Sequence, residues 1–315
     1  MKKYSIKLSA LFLSLLISLS GLICAGAVGL EDVYLIGDVN LDGAVDVRDA
    51  TDLQRHIASI ASLDGEGLKK ADTNYDNLVD VRDATHIQKI VAKVYVPLTA
   101  KKGVDVSNHN GDIDIEKIRN AGYDFVMIRC GFGNDTTSQD DKRFEQNVRK
   151  CEEAGMPWGV YLYSYALTVK EAKSELQHTL RLLKGKKPTL PVAFDMEDAD
   201  GYKKKHGMPS QTTLDKICMT YLTGIRDAGY YPMLYMSMSW VRKVENKSLL
   251  SEFDIWLAQW NTECSYDGGT LGIWQYGGST NYLESNSIEG IGTIDKNFCY
   301  KDYPLLIMNQ HYNNW

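Results

Sequence analysis

The chain has 315 residues, 24% of them charged, and a formal net charge of −6. That length accommodates one large domain and a small companion. The acidic balance argues against nucleic acid or an anionic membrane surface as a partner. The first predicted element is a targeting segment. Lys2, Lys3 and Lys7 form a basic start, Leu11 to Ile23 is mostly apolar, and Ala25-Gly26-Ala27 is a small-residue cleavage site. The apolar stretch is short for a spanning helix, and bulky Ile23 before Cys24 argues against a lipoprotein. Removing residues 1–27 predicts a secreted protein with no membrane anchor and a net charge near −9, since three lysines and no acids leave with it.

Next comes a module over residues 34–95 containing a duplication. Asp38-Val-Asn-Leu-Asp-Gly-Ala-Val-Asp-Val-Arg-Asp49 recurs as Asp72-Thr-Asn-Tyr-Asp-Asn-Leu-Val-Asp-Val-Arg-Asp83, 34 residues on. Oxygen-bearing side chains fall at loop positions 1, 3, 5, 9 and 12: Asp38, Asn40, Asp42, Asp46 and Asp49, then Asp72, Asn74, Asp76, Asp80 and Asp83. A twelve-residue loop wraps calcium with this spacing, and the carbonyls of Ala44 and Leu78 serve position 7. Gly43 supplies the sharp turn in the first loop, and Asn77, which tolerates a left-handed backbone, in the second. Each loop runs into a one-sided apolar stripe: Ala50, Leu53, Ile57 and Ile60, then Ala84, Ile87, Ile90 and Val91. The expectation is a small all-α unit with two EF-hand-like loops and two structural calcium ions. It departs from an ordinary EF-hand in carrying Asp, not Glu, at position 12. Residues 96–101 are a short linker.

From residue 102 to 315 apolar runs alternate with helical patterns. Strands are predicted at Gly103–Ser107, Phe125–Gly131, Trp158–Ala166, Leu190–Glu197, Pro232–Ser237, Ile255–Trp260, Leu271–Tyr276 and Ile294–Phe298. Clear helices separate only the earlier ones. The pattern predicts an α/β fold, an irregular parallel (β/α) TIM-like barrel. The central stretch is Leu190-Pro-Val-Ala-Phe-Asp-Met-Glu197, apolar on both faces and ending in two acids. Side chains two apart share a face of a strand, so Asp195 and Glu197 lie side by side. Such a pair repels and resists desolvation, so one member keeps a proton near neutral pH, as general acid chemistry requires. The plain alternative is a helix start, where acids are favoured anyway. Barrel active sites gather at the strands' C-terminal ends, where Asp105 and Asp295 are also expected. Tyr161, Tyr163, Tyr165, Tyr235, Trp260, Trp274 and Tyr276 accompany them as candidate sugar platforms; for each, a place in the core or wall is the alternative. Asp140-Asp141 and Lys203-Lys-Lys205 read as solvated surface, and His109 as a residue of the first βα loop that either touches substrate or stays solvated. Cys130, Cys151, Cys218, Cys264 and Cys299 are scattered, lack CxxC spacing and read as buried thiols.

Two resemblances follow from these motifs. Residues 34–95 resemble a type I dockerin, which implies calcium and a cohesin domain of a scaffoldin as partner. The resemblance places partner recognition on Val47-Arg48 and Val81-Arg82. Residues 102–300 resemble the glycoside hydrolase family 25 lysozymes, the Chalaropsis-type muramidases. The motifs are Gly103-Val-Asp-Val-Ser-Asn-His-Asn-Gly111, Gly122-Tyr-Asp-Phe-Val-Met-Ile-Arg-Cys-Gly131, Phe194-Asp-Met-Glu197, Trp256-Leu-Ala-Gln-Trp260, Trp274-Gln-Tyr276 and Gly290-Ile-Gly-Thr-Ile-Asp-Lys-Asn-Phe298. The resemblance implies cleavage of the β-1,4 bond between N-acetylmuramic acid and N-acetylglucosamine in peptidoglycan, with no cofactor for catalysis. It assigns the acids to Asp105, Asp195, Glu197 and Asp295, with Glu197 as general acid. Asp195 either attacks the anomeric carbon or supports the sugar's 2-acetamido group. The alternatives are a non-catalytic wall-binding barrel and a scaffold-borne glycosidase for plant polysaccharide. The tail after Tyr300 departs from the family's usual end.

Overall fold

The computed structural model describes residues 35–95, 101–268 and 270–315. The expected targeting segment and all but the last residue of the expected linker lie outside the described residues.

The amino-terminal module contains α1 (Val47–Ile57), the short α2 (Gly65–Lys69) and α3 (Val81–Val91). Both long helices start with a capping box, Asp46 with Asp49 and Asp80 with Asp83, so the last loop acid also satisfies a free helix-end amide. Val39, Ala50, Leu53, Ala71, Ala84 and Ile87 form its core. Ile60, expected on the apolar stripe, is 70% exposed. The helix stops at Ile57, and Ser59 turns with a left-handed φ of 56°.

The second module is a closed eight-stranded barrel. Its strands are β1 (Lys101–Val106), β2 (Phe125–Phe132), β3 (Trp158–Tyr163), β4 (Val192–Asp195), β5 (Pro232–Ser237), β6 (Asp254–Ala258), β7 (Leu271–Gly277) and β10 (Asp295–Cys299). A small hairpin, β8 (Ser287–Ile288) with β9 (Gly292–Thr293), sits in the connection before β10. Helices α4 (Ile115–Asn120), α5 (Phe144–Ala154), α6 (Val169–Leu183), α7 (Tyr202–His206) and α8 (Gln211–Asp227) cover the first half. Only the short α9 (Met238–Val241) and α10 (Ser248–Glu252) follow before α11 (Tyr303–Asn309) ends the fold.

β1 through β7 pair in parallel, but β10 is antiparallel to both neighbours, with Asp105 opposite Asp295. This corrects the expectation of an all-parallel sheet. A parallel return needs a crossover, usually helical, whereas the 278–294 connection is a loop carrying a hairpin.

Residues alternate between two cores along every strand. Val192, Phe194 and Met196 join the layer between barrel and helices, where Phe194 stacks on Tyr221 at 4.0 Å. Ala193 faces inward with Phe125, Met127, Tyr161, Met233, Tyr235, Trp256 and Ile273. Gly103 leaves room for the inward ring of Phe125; a Cβ there would meet it at 2.3 Å.

The tail seals the end of the barrel where the parallel strands begin. Tyr303, Leu306 and Ile307 of α11 complete the inner core. Asn313, fully buried, donates to the carbonyls of Pro188 (2.9 Å) and Leu190 (3.0 Å) and accepts from the Tyr231 amide (2.9 Å). The same floor receives the amino-terminal module. Tyr75 of the second loop packs against the inner core cluster, Gln310 Nε2 donates to its carbonyl (3.1 Å), and Tyr95 Oη donates to Asp302 Oδ2 (2.5 Å). Among the described residues the five cysteines are free and buried, as expected. Among the described residues no helix is long and apolar enough to cross a membrane.

Candidate active site

Asp105 lies near the end of β1, Asp195 ends β4, and Glu197 follows two residues later on the same inward face. Asp295 opens β10. Because β10 runs the opposite way, its first residue stands on the rim where the parallel strands finish. The four acids therefore meet at one end of the barrel, opposite the floor sealed by α11.

Asp105 is held from below. Its Oδ2 accepts from Asn297 Nδ2 (2.8 Å) and Gln275 Nε2 (3.0 Å). Asn297 Oδ1 accepts from Trp256 Nε1 (2.7 Å); Gln275 Oε1 accepts from Tyr235 Oη (3.0 Å) and Trp260 Nε1 (3.1 Å). Such a satisfied buried network fixes one geometry. Gln275 and Asn297 were not singled out from the sequence, although both stand inside the family motifs. The available signal was a polar residue on the inward period of an otherwise apolar strand, which demands a buried partner.

Burial pushes all four acids up. Asp105 rises to about 6, against the lowering pull of Asn297 and Gln275. Glu197 rises to about 7, with Lys203 opposing burial and the charges of Asp105 and Asp200 adding to it. Asp295 rises to about 8, through burial and then the charges of Asp105 and Glu197. Asp195 goes well above the ordinary carboxylate range, from burial first and Glu197 second. Asp195 Oδ1 is buried without a partner. The pair keeps at least one proton near neutral pH, and Glu197 is the less buried of the two. Gly278 makes room for Asp295, since a Cβ there would lie 2.0 Å from Asp295 Oδ1.

These raised acids tax the fold. A carboxyl whose folded pKa exceeds its unfolded value adds stability below the unfolded value, near 4, and that contribution is lost as pH climbs through the folded value. For Asp295 the window runs from about 4 to about 8. Asp295→Asn is therefore expected to raise Tm at pH 8.5 by about 2–4 °C for each kcal/mol relieved, and to leave it unchanged at pH 4. Calorimetry at the two pH values checks this; an equal shift at both contradicts it.

The expected aromatics divide. Tyr161 and Tyr235 are buried in the barrel interior beneath the acids, each edge-on to Trp256 at 5.7 and 4.9 Å. Tyr163 and Tyr165 stand 5.2 Å apart and donate to Asp200, at 3.4 and 2.7 Å. They line a cleft of about 670 Å³ with His109, Arg129 and Phe132. Trp260 is 40% exposed at the rim. Trp274 and Tyr276 are not at the rim. They occupy the outward period of β7, packed between barrel and helices, donating to the Gln259 carbonyl (2.8 Å) and to Glu284 (2.6 Å). The strand's alternation turns them away as it turns Gln275 in.

Two surface expectations are corrected. Asp141 is buried and paired with Arg129 at 2.9 Å, and Asp140 meets His178 at 2.8 Å and Arg181 at 2.6 Å. Lys204 and Lys205 are exposed, but Lys203 is fully buried.

In the amino-terminal loops the oxygen set partly converges. Asp38 and Asp49 are buried, burial pushes Asp49 up, and the charge of Asp38 adds to it. Asp38 Oδ1 and Asn40 Oδ1 both accept from the Asp42 amide; Asp72 and Asn74 do the same for Asp76. Positions 5 and 9 are bridged by guanidinium groups: Arg48 to Asp42 and Asp46, both at 2.7 Å, and Arg82 to Asp76 (2.8 Å) and Asp80 (2.7 Å). The donor set, all hard oxygens at the right loop positions, fits calcium. Among the described residues no three His, Cys, Asp or Glu side chains are gathered closely enough to hold a metal in the arrangement seen.

Comparison with known proteins accords with both modules. Residues 104–285 match the family described as Glycosyl hydrolases family 25, and residues 36–92 match the Dockerin type I domain. The modular autolysin LytC from Streptococcus pneumoniae, solved with a synthetic peptidoglycan ligand, is similar in structure: 26% identity, TM-score 0.55, covering 63% of this chain and 46% of that one. This chain thus spans less than half of that autolysin's length. A family 25 glycosyl hydrolase from Bacillus anthracis (21% identity, TM-score 0.53, 70% and 96% coverage) shares the fold. So does the bacterial lysozyme from Streptomyces coelicolor (19% identity, TM-score 0.52, 67% and 97% coverage). No curated protein sequence matches significantly.

Proposed function

The chain belongs to glycosyl hydrolases family 25 and is a glycoside hydrolase with a type I dockerin domain, and we propose that it is a secreted muramidase. Its substrate is the β-1,4 bond between N-acetylmuramic acid and N-acetylglucosamine in peptidoglycan. The observation that carries this reading is the acid pair: Asp195 and Glu197 at the end of β4, beside Asp105 and Asp295 on the rim, with burial raising both. Glu197 protonates the departing glycosidic oxygen and afterwards takes a proton from the attacking water. Ordinary retaining chemistry holds its two carboxyls about 5–5.5 Å apart. Asp195 either supplies the nucleophile or supports the 2-acetamido group, whose oxygen then attacks the anomeric carbon. Asp105 and Asp295 complete the charge around the sugar, and Tyr163, Tyr165 and Trp260 offer rings to its faces.

The products test this reading. Digestion of peptidoglycan is expected to leave muramic acid at the new reducing ends, read by borohydride reduction and sugar analysis. Release of sugars only from plant polysaccharide would replace the substrate assignment.

The dockerin supplies the second half of the proposal: attachment to a cohesin domain of a scaffoldin outside the cell. Val47-Arg48 and Val81-Arg82 remain exposed for that contact although the module rests on the barrel floor. Asp38, Asn40, Asp42, Asp46 and Asp49, with the Ala44 carbonyl, hold one calcium ion; Asp72, Asn74, Asp76, Asp80 and Asp83, with the Leu78 carbonyl, hold the other. Calcium, when bound, supplies positive charge that these carboxylates otherwise share with Arg48 and Arg82. Titration calorimetry against a cohesin is expected to show binding in calcium and none after EDTA. Binding that survives complete chelation would sink this half.

A further inference from the structure

Lys203 lies in α7, whose first turn is tied by Asp198: Oδ1 accepts from the Lys203 amide (2.7 Å) and Oδ2 from the Lys204 amide (3.1 Å). The Lys203 side chain runs inward and is 0% exposed. Its Nζ donates to the Glu197 carbonyl (2.8 Å) and to the Ser164 carbonyl, and lies 5.9 Å from the centre of the Tyr163 ring. These carbonyls belong to the residues leaving β4 and β3. Ser164 is braced in turn. Its amide donates to the Asp195 carbonyl (3.0 Å), its Oγ donates to Glu175 Oε2 (2.8 Å), and the Tyr165 amide donates to Glu175 Oε1 (2.7 Å).

A buried ammonium costs several kcal/mol unless anions face it. The ionisable groups that face this one are Glu175 from α6, Asp195 from the end of β4, Asp198 from the β4–α7 loop and the Cys218 thiol from α8. Glu197, whose carbonyl it holds, also feels its charge. A lysine placed only for packing has no need of the acid's own main chain. We propose that Lys203 is the positioning residue of the acid pair: it pins the Glu197 backbone and, through its fixed charge, keeps one member of the pair ionised while the other holds the proton. This rests on the reading of Asp195 and Glu197 as the working acids. Burial drives both carboxyls up, and Lys203 is the largest charge opposing that rise on each.

The test compares Lys203→Gln, which keeps a donor but no charge, with Lys203→Arg, which keeps the charge. Removing a cation disfavours the ionised carboxylates, so both limbs of the pH profile of kcat/KM are expected to move to higher pH in Lys203→Gln. The shift should be about half a unit or more, with kcat down about 100-fold. Lys203→Arg is expected to keep both limbs in place with a smaller loss of kcat. Carboxyl ¹³C NMR titration reads the same shift should Lys203→Gln be inactive. Wild-type limbs or carboxyl titrations in Lys203→Gln overturn the proposal. Should Lys203→Gln not fold, displaced limbs in Lys203→Arg overturn it and unmoved limbs support it. Glu197→Gln, assayed in parallel, separates the two levels. If it stays active the acid-pair reading fails; if it is inactive while Lys203→Gln titrates as wild type, only the role of Lys203 fails.

Discussion

Glu197→Gln is expected to lower the rate of wall lysis about 10³-fold, within the range that general acid catalysis contributes. Glutamine matches the shape of glutamate and leaves the Lys203 contact to the main-chain carbonyl intact. It cannot give a proton to an ether oxygen. The loss should fall on kcat, with KM within about threefold, because the interaction removed forms in the transition state. The pH profile carries the same information. Glu197, raised to about 7, is protonated and competent below that value and loses its proton above it, so the wild-type rate falls on the alkaline side. On the acid side the rate falls as the ionised partner of Glu197 takes up a proton in its turn, which sets the acid limb. Turbidity assays across pH 4–9 measure both; a variant that clears walls within tenfold of wild type refutes the assignment of the acid.

Ending the chain at Tyr300 is expected to unfold the barrel. The residues removed include Tyr303, Leu306 and Ile307, which fill the inner core from below, and burying three such side chains contributes on the order of 5–9 kcal/mol. That is comparable with the whole stability of an ordinary domain, about 5–15 kcal/mol. The cut also removes the Tyr303 and Lys301 hydrogen bonds to Asp254 at the start of β6, at 2.9 and 2.6 Å. Asn313→Ala is the milder form. It strips partners from two buried carbonyls and one amide, a loss of about 2–4 kcal/mol. Urea midpoints and Tm values rank the three chains; a truncated barrel that melts within about 3 °C of the full chain would show that the tail is dispensable.

Local pattern made much of this protein legible. Pro232–Ser237 forms a strand over its predicted span, because a short apolar run buried on both faces suits a strand of a covered sheet. The period of two also placed Asp195 and Glu197 together. The same period turns Trp274 and Tyr276, expected as candidate platforms with core or wall as the alternative, into the outer layer, because Gln275 between them occupies the inward position. The tail lacked a reading because its residues make sense only against partners far away in sequence, such as Pro188, Tyr231 and Asp254.

The sequence by itself determined the two modules, the duplicated acidic loops, the barrel class and the acids at its rim, because each is written in the spacing of neighbouring residues. Only the tertiary structure decided that β10 runs antiparallel and so brings Asp295 to the rim by its first residue. Only it showed that Asp105 rests on Gln275 and Asn297, that Tyr75 seats the dockerin on a floor built by the tail, and that Lys203 lies buried against the acid pair. The physical reason is common to all four. A polar or charged side chain in a run of lysines, or on an apolar strand, is cheap in water and costly inside, and which it meets depends on contacts between distant parts of the chain that no local period encodes.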